Sequence, residues 1–266
     1  MTTSTRYTAQ ELRLLQLLST RYPTITAAHI EMINLSAILA LPKGTDHYIS
    51  DIHGAYEQFD HILRHASGAI RRKIYQTFED DLSETEQIEL AMLIYYPEKK
   101  LRQVLPTLAD PDGWMAQTIA NLGRVARTSA QKYTRSKVRK RFAPQFAYIL
   151  EELLTESQTE HSQKQHYYDS IVRSVVALGE GQAMIVTLAE LIQRLVVDRL
   201  YILGDIYDRG PAAEKVMDRL MAYPYVAIQW GNHDVSWMAA ASGCDALIIN
   251  VIRMALRYAS LETLLD

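Results

Sequence analysis

The sequence has little of several features on which particular classes of protein depend. It has a single cysteine, Cys244, so it cannot form an internal disulfide, and a disulfide-rich scaffold is excluded. Every apolar stretch of 18 residues contains a charge, because Glu31 interrupts the first candidate and Asp245 the last, so no transmembrane helix is expected. The 28 basic and 31 acidic residues give a net charge of −3, which offers no global signal for nucleic acid or an anionic membrane as a partner.

What the sequence does contain is ordinary for a globular protein. Of its 266 residues, 48% are hydrophobic and 22% are charged, and a chain of this length can bury a core without covalent crosslinks. Thr8 and Glu11 form a capping-box pattern at the start of an amphipathic segment, which favours a helix over a signal peptide. The single cysteine also fits a reducing compartment, and we expect a cytoplasmic protein.

The apolar periodicity changes along the chain from helical to extended and back. It predicts two N-terminal helices, the second at 27–39, and then a strand at 47–50 followed by a helix at 56–72. The region 73–195 is helical in pattern, with a second capping box at Ser83 and Glu86. Strands are predicted again at 199–203 and 225–229, with helices beginning near Pro211 and Ser236. This alternation predicts an α/β fold.

Each predicted strand ends in a loop rich in metal-ligating groups. Asp51 and His53 follow the first strand, Asp205 the second and Asn232 the third. Ligand sites of open α/β sheets lie at the carboxyl ends of the strands, so the three loops should converge. Carboxylate, imidazole and amide groups suit divalent manganese, iron and zinc, and two such ions about 4 Å apart can activate water for phosphoryl transfer.

The other polar residues of these loops fit the same chemistry. Arg209 can hold a phosphate through its planar guanidinium group. His233 can protonate a leaving alkoxide, and Asp208 can orient its ring. A surface salt bridge for Arg209 is the weaker alternative.

Together, the motifs resemble the signature of the calcineurin-like metallophosphoesterases. They read Asp51-x-His53-Gly54, Gly204-Asp205-x-x-Asp208-Arg209-Gly210 and Gly231-Asn232-His233-Asp234. The surrounding words SDIHGAYEQFDHIL, YILGDIYDRGP and WGNHDVSWMAAASG, with 154 positions between Asp51 and Asp205, are similar to the class 3 fructose-1,6-bisphosphatases of Firmicutes-type bacteria.

The resemblance implies a metallophosphoesterase-like sheet core with a large helical insertion between the first and second core motifs. The implied divisions are N-terminal helices packed on the core (1–44), a truncated core (45–72 and 196–266) and the insertion (73–195). The implied activity is hydrolysis of the 1-phosphate of fructose 1,6-bisphosphate in gluconeogenesis, with a binuclear manganese site; other divalent metals are possible.

The resemblance also assigns roles to the loop residues. Asp51, His53 and Asp205 would hold the first ion, and Asp205 and Asn232 the second. His233 would be the catalytic imidazole and also contact phosphate, Asp208 its orienting partner and Arg209 a phosphate ligand. The family pattern continues with further histidine ligands, whereas His233 is the last histidine here. We therefore expect an N-terminal fragment or a truncated form with an incomplete site and little activity.

Several alternatives stay open at this stage. The same motifs occur in phosphatases of phosphoproteins and dinucleoside polyphosphates, and an inactive chain could serve only as an interaction or structural piece. The basic stretch 124–141 is a solvated face, the site of an anionic effector or a contact with another subunit, and the chain is a possible homo-oligomer. His61 and His65 could form a zinc-type pair, but a solvated helix face is the favoured interpretation.

Overall fold

The chain is mainly helical and contains one small sheet. A computed structural model describes residues 7–155, 165–261 and 264. The strands are β1 (Asp46–Ile49), β2 (Arg199–Leu203) and β3 (Val226–Gln229). The helices are α1 (Ala9–Arg21), α2 (Ile25–Leu39), α3 (Tyr56–His65), α4 (Ala69–Phe78), α5 (Glu84–Tyr95), α6 (Pro97–Val104), α7 (Pro111–Ala130), α8 (Arg135–Arg139), α9 (Ala147–Thr155), α10 (Gln165–Ala177), α11 (Gly181–Val196), α12 (Ala213–Met221), α13 (Asn232–Ala241) and α14 (Asp245–Tyr258). Short 3-10 turns lie at Ala66–Gly68, Leu105–Thr107 and Pro144–Phe146.

The three strands form a parallel sheet in the order β1-β2-β3. Their boundaries agree with the predicted strands to within one residue. Ile202 is in register with Ile49 on one side and Ile228 on the other, so these three side chains share one face of the sheet. That face packs into an apolar cluster with α3, through Phe59 and Leu63, and with α12, through Val216 and Leu220. The α/β prediction is confirmed at this level.

Most predicted helices are present, and both predicted capping boxes are confirmed, at Thr8 and at Ser83. Three helix predictions are wrong at their boundaries. The predicted helix 56–72 is broken after His65, because Ala66, Ser67 and Gly68 all have positive φ and end α3 before α4 begins. α12 begins at Ala213 instead of Pro211. α13 begins at Asn232, four residues before the predicted start at Ser236, so part of the third loop is helical.

The chain divides into two compact units, 1–43 and 44–266. The first contains α1 and α2, which have no buried side chain. The second contains the sheet and a larger helical core whose fully buried members include Ile70, Ile94 and Leu188. No single helix in the described ranges is long and apolar enough to cross a membrane; only the sharply bent pair 166–177 and 181–196 reaches the required length and composition together.

Part of the basic stretch turns inward to the end of α11. Lys132 Nζ donates to the carbonyl oxygen of Val196 at 2.6 Å, and the Tyr133 hydroxyl donates to that of Leu195 at 3.0 Å. The buried Arg141 donates to the carbonyl of Arg194. These donors satisfy carbonyl groups that a helix leaves unpaired at its C-terminus. Two basic residues of the stretch, Lys132 and Arg141, are therefore used, at least in part, inside the protein.

Asp198 supplies the acidic partner that the stretch itself lacks. Its Oδ1 lies 2.6 Å from Lys137 Nζ and 3.4 Å from Arg141 Nη2. Partial burial raises the pKa of Asp198. The hydrogen bond from Lys137 and the charges of the nearby basic groups outweigh this effect and hold the pKa below its usual value. The charge that the sequence leaves unbalanced locally is thus partly balanced by a residue about 60 positions away.

Lys132 gives this cluster a measurable pH dependence. Burial is the main cause that lowers the pKa of Lys132 from its ordinary value to about 8. Below pH 8 both the folded and the unfolded chain carry the charge, and the folded state bears the cost of burying it. As pH rises from about 8 towards the ordinary lysine pKa, only the unfolded chain keeps the proton, so this residue's contribution to the free energy of unfolding becomes more favourable.

We expect Lys132→Met to remove this pH-dependent contribution. The free energy of unfolding would be measured in urea at pH 7, 8, 9 and 10 for the native chain and the variant. Above pH 8, that of the native chain should rise relative to that of the variant. Lys140→Met is the matched control, because Lys140 is exposed. A difference between native and Lys132→Met chains that stays constant over this range would contradict the assignment.

Candidate metal centre at the carboxyl ends of the strands

The loops that follow β1 and β2 are joined directly through their backbones. The amide of His53 donates to the carbonyl of Asp205 at 2.8 Å, and the amide of Gly210 donates to the carbonyl of His53 at 2.8 Å. The amide of Gly54 donates to the carbonyl of Ile206, also at 2.8 Å. The first and second loops therefore converge, as the parallel order of the strands predicts.

Two glycines make this close approach possible. Gly54 has a φ of +65°, and a Cβ atom there would lie 2.5 Å from the carbonyl oxygen of Gly210. A Cβ on Gly231 would lie 2.1 Å from Oδ1 of Asp205, which brings the third loop against the second. No larger residue fits either position without moving backbone or a candidate ligand.

The same loops concentrate unusual backbone conformations. Non-glycine residues with positive φ include Asp51 (53°), His53 (48°), Asp205 (53°), Asp208 (82°) and Arg209 (58°). Such conformations cost free energy and tend to cluster where function requires a fixed side-chain position. The strain here falls on the residues whose side chains carry the predicted chemistry.

Asp51, His53 and Asp205 form a group that could hold a metal ion. One ligand atom from each lies within 4.8 Å of the others. The side chain of Asp51 is 70% exposed, and its Oδ1 lies 3.8 Å from His53 Nε2. Asp205 Oδ1 is buried and has no hydrogen-bond partner, an arrangement that is costly for a carboxylate oxygen unless something binds it. Two carboxylates and one imidazole are a donor set suited to a divalent transition metal.

Asp208 connects two imidazole rings. Its side chain is almost fully buried; Oδ1 is hydrogen-bonded to His53 Nδ1 at 2.7 Å, and Oδ2 lies 2.8 Å from His233 Nδ1. The hydrogen bond to the carboxylate favours a proton on Nδ1 of His53. Nε2 of His53, which lies 3.8 Å from Asp51 Oδ1, is then free to act as a metal ligand. The contact with His53, in addition to the predicted one with His233, could not be inferred from the sequence.

The third loop and the arginine complete the predicted set. Asn232 is exposed and is the first residue of α13, directly after Gly231. His233 is half-buried, and its ring centroid lies 6.2 Å from that of His53. Arg209 is half-exposed; its Nε lies 3.7 Å from Asp208 Oδ2, and its guanidinium carbon is 5.6 Å from the centre of the Tyr258 ring. The cation–π contact with α14 is absent from the sequence prediction.

Asp234 has a structural role that the motif alone did not reveal. It is fully buried and accepts hydrogen bonds from the backbone amides of Ile206 (2.8 Å), Tyr207 (2.9 Å) and Gly231 (2.8 Å). One carboxylate thus links the second loop to the start of α13. An acidic residue three positions after a helix cap is the sequence signal that could have found it.

His61 and His65 lie outside the metal group. The centroids of their rings are 4.6 Å apart. His61 packs against Tyr96, and His65 packs against Tyr95. They are held in an aromatic cluster at the surface of α3 and α5, and the described residues supply no third ligand that would form a metal group with them.

The fold and these side chains define an α/β protein with a group suited to a divalent ion at the carboxyl ends of a parallel sheet. Comparison with known families makes the class specific. The family described as Firmicute fructose-1,6-bisphosphatase matches residues 13–266, and the chain belongs to that family.

The curated relatives agree with this family. The chain is 52% identical over 255 residues to a class 3 fructose-1,6-bisphosphatase of Clostridium acetobutylicum, and 51% identical over 255 residues to one of Clostridium botulinum strain Hall. Each match covers 96% of this chain but only 38% of the relative, so the chain spans well under half the length of these proteins. No solved structure matches the chain.

Proposed function

We propose that the chain carries part of the active site of a metal-dependent phosphomonoester hydrolase that converts fructose 1,6-bisphosphate to fructose 6-phosphate and phosphate. The observation that supports this most strongly is the convergence of Asp51, His53 and Asp205 in a chain of the fructose-1,6-bisphosphatase family. The relatives are named for this activity, which favours the sugar bisphosphate over a phosphoprotein or dinucleoside polyphosphate. A reaction on this metabolic intermediate is proposed to take place in the cytoplasm.

The proposed metal is manganese. Asp51, His53 and Asp205 would hold one ion, and Asp205 and Asn232 a second. The unpartnered, buried Oδ1 of Asp205 supports a cation at this position. When bound, such a pair of ions supplies charge stabilisation and lowers the pKa of water that attacks phosphorus. Neutral imidazole and ionised carboxylates match the preferences of manganese, although iron and zinc accept the same donors.

The remaining residues have proposed roles in proton transfer and phosphate binding. His233 donates a proton from Nε2 to the oxygen of the leaving fructose, and it also contacts the phosphate. Asp208 lies at Nδ1 of both imidazole rings, which supports an unprotonated Nε2 on His53 for a metal ion. To donate from Nε2, His233 must be protonated on both nitrogens, and the adjacent Asp208 carboxylate stabilises that positive charge. Arg209 binds the phosphate; its guanidinium group is half-exposed, while its Nε stays 3.7 Å from the buried Asp208 Oδ2.

The proposed architecture follows the family resemblance. The metallophosphoesterase-like core would consist of 45–72 and 196–266, with 73–195 as a helical insertion and 1–44 as N-terminal helices. The two separate apolar clusters of the unit 44–266 support a division between the sheet and the helices. An anionic effector at 124–141 and a homo-oligomer stay predictions, and the inward-turned Lys132, Lys137 and Arg141 reduce the charge that an effector would meet.

The activity can be tested in a chimera. The chain would replace the matched region of the Clostridium acetobutylicum relative, and phosphate release would be measured with manganese on fructose 1,6-bisphosphate, a phosphotyrosine peptide and a dinucleoside tetraphosphate. We expect turnover of the sugar bisphosphate to exceed the other two by at least about a hundredfold, because binding energy from a matched substrate is used in the transition state. The isolated chain should release little phosphate but should still bind manganese measurably by titration calorimetry.

Two results would count against the proposal. Comparable turnover of the peptide or the dinucleotide by the chimera would point to another phosphatase. An isolated chain that binds no manganese, in a sample shown by circular dichroism to be folded, would support an interaction or structural piece.

A further inference from the structure

Among the described residues of the unit 44–266, the sheet is covered on one face only. The residues facing the apolar cluster are buried or half-buried, whereas those on the opposite face alternate with them and are largely open. Tyr48 is 57% exposed and Leu203 is 46% exposed on this second face. Ala227, which is in register with Tyr201, is exposed on the same face. All-parallel sheets occur almost only with both faces covered, so an open second face is unusual.

The open face has the chemistry of a contact surface. Tyr48 and Tyr201 stack across β1 and β2 with their ring centroids 4.8 Å apart and their planes within 11°. Leu203 continues the apolar surface towards the metal group. Aromatic residues with rigid rings contribute most where they are buried in an interface. A surface of this kind on an unpaired sheet favours a protein partner.

β3 is an edge strand within the described part of the chain. Its neighbour is β2 on one side, and no described strand pairs with its other side. An edge strand presents unpaired backbone donors and acceptors that another strand can use. β3 leads directly to Asn232, so a strand added at this edge would also lie beside the candidate metal centre.

An occupant for this face can be inferred from the relatives. Nearly two thirds of each relative's length lies outside the region that this chain matches. We propose that the second face of the sheet, with the free edge of β3, is the docking surface for that remaining part of a class 3 fructose-1,6-bisphosphatase. This docking surface consists of the edge of β3 and the side chains of Tyr48, Tyr201, Leu203 and Ala227. This inference rests on family membership and extends the proposed function, but it concerns binding and does not depend on turnover.

The test is co-expression of this chain with the polypeptide that comprises the unmatched part of the Clostridium acetobutylicum relative, with a different tag on each. We expect the two to purify together at a 1:1 ratio by light scattering. Hydrogen exchange should then show slowed amides in 226–229 relative to the isolated chain, because a paired edge strand protects its amides. Tyr48→Glu and Ala227→Glu should each weaken association by at least about tenfold, since each buries a charge in the contact.

Leu178→Glu is the matched control. Leu178 is 81% exposed and lies after the end of α10, away from the sheet, so this variant should associate as the native chain does. Circular dichroism of each variant checks that it is folded before mixing. Because the readout is complex formation, a complex without phosphatase activity would refute the proposed function and leave the docking surface intact.

Three results would overturn the docking proposal. The first is the absence of a complex between folded polypeptides. The second is a complex in which protection falls on 9–39 and not on 226–229, which would place the contact on α1 and α2. The third is a dimer of this chain alone that Tyr48→Glu dissociates, which would make a second copy the occupant of the face.

Discussion

Asp205→Ala should abolish manganese binding at the candidate centre and lower phosphate release by the chimera at least about a thousandfold. Asp205 is the one residue of the set proposed to contact both ions, and its Oδ1 is buried without a protein partner. Removing it takes away ligand atoms and negative charge from both positions, and a two-ion mechanism depends on both. Calorimetric titration with manganese and phosphate release on fructose 1,6-bisphosphate would measure the two effects separately.

Two further variants make this result specific. Arg209→Ala should leave manganese binding unchanged and reduce kcat/KM by about ten- to a hundredfold, because it removes a charged phosphate contact and no ligand. Asp112→Ala is the carboxylate control, since Asp112 is exposed at the start of α7. If Asp205→Ala kept its manganese affinity, or if Asp112→Ala lost as much affinity, Asp205 would not be a ligand of the centre.

The convergence of the site could be predicted from the sequence because it follows from sheet topology alone. Each strand was marked by a short β-favouring segment, and each ended in a loop with Asp, His or Asn. Parallel strands bring their carboxyl ends to one edge, so Asp51 and Asp205 had to be near each other once the strands were identified. Local pattern and a general topological rule were sufficient.

The connections within the site depend on tertiary packing, and so the sequence did not reveal them. His53 and Asp208 are 155 positions apart, and their hydrogen bond exists only because the first two loops are joined at Gly54 and Gly210. The motif predicts a ligand-bearing loop over Gly231 to Asp234, whereas α13 already begins at Asn232. Its helical first turn is stabilised by Asp234, whose carboxylate reaches back to the amide of Gly231.

The break between α3 and α4 has a local cause that the apolar pattern does not register. The periodicity of 56–72 continues across Ala66 and Ser67, yet both adopt left-handed backbone angles before Gly68. The Ser-Gly pair is a turn signal, and here it overrides the helical period. His47 on β1 lies against this turn, with its Nε2 2.8 Å from Ser67 Oγ, so packing on the sheet holds the turn in place.

Asp234→Ala should lower the free energy of unfolding by about 3–5 kcal/mol, because it leaves buried amide groups without the carboxylate that accepts from them. The three amides belong to Ile206, Tyr207 and Gly231, so the loss acts at the junction of the second and third loops. Asp234→Asn should have an intermediate effect, since one accepting oxygen is replaced by an NH₂ group that faces a donor. Urea unfolding monitored by circular dichroism gives both values.

The same variants should also reveal how the loops position the metal group. Asp234 contacts none of the proposed ligands through its side chain hydrogen bonds, but it fixes the backbone beside Asp205 and before Asn232. In native-like conditions we therefore expect Asp234→Asn to bind manganese about tenfold more weakly, an effect typical of residues that orient metal ligands. Asp218→Ala, an exposed carboxylate on α12, should change stability by less than about 0.5 kcal/mol and leave manganese binding intact. A folded Asp234→Asn chain with native manganese affinity would show that the carboxylate stabilises the fold without positioning the centre.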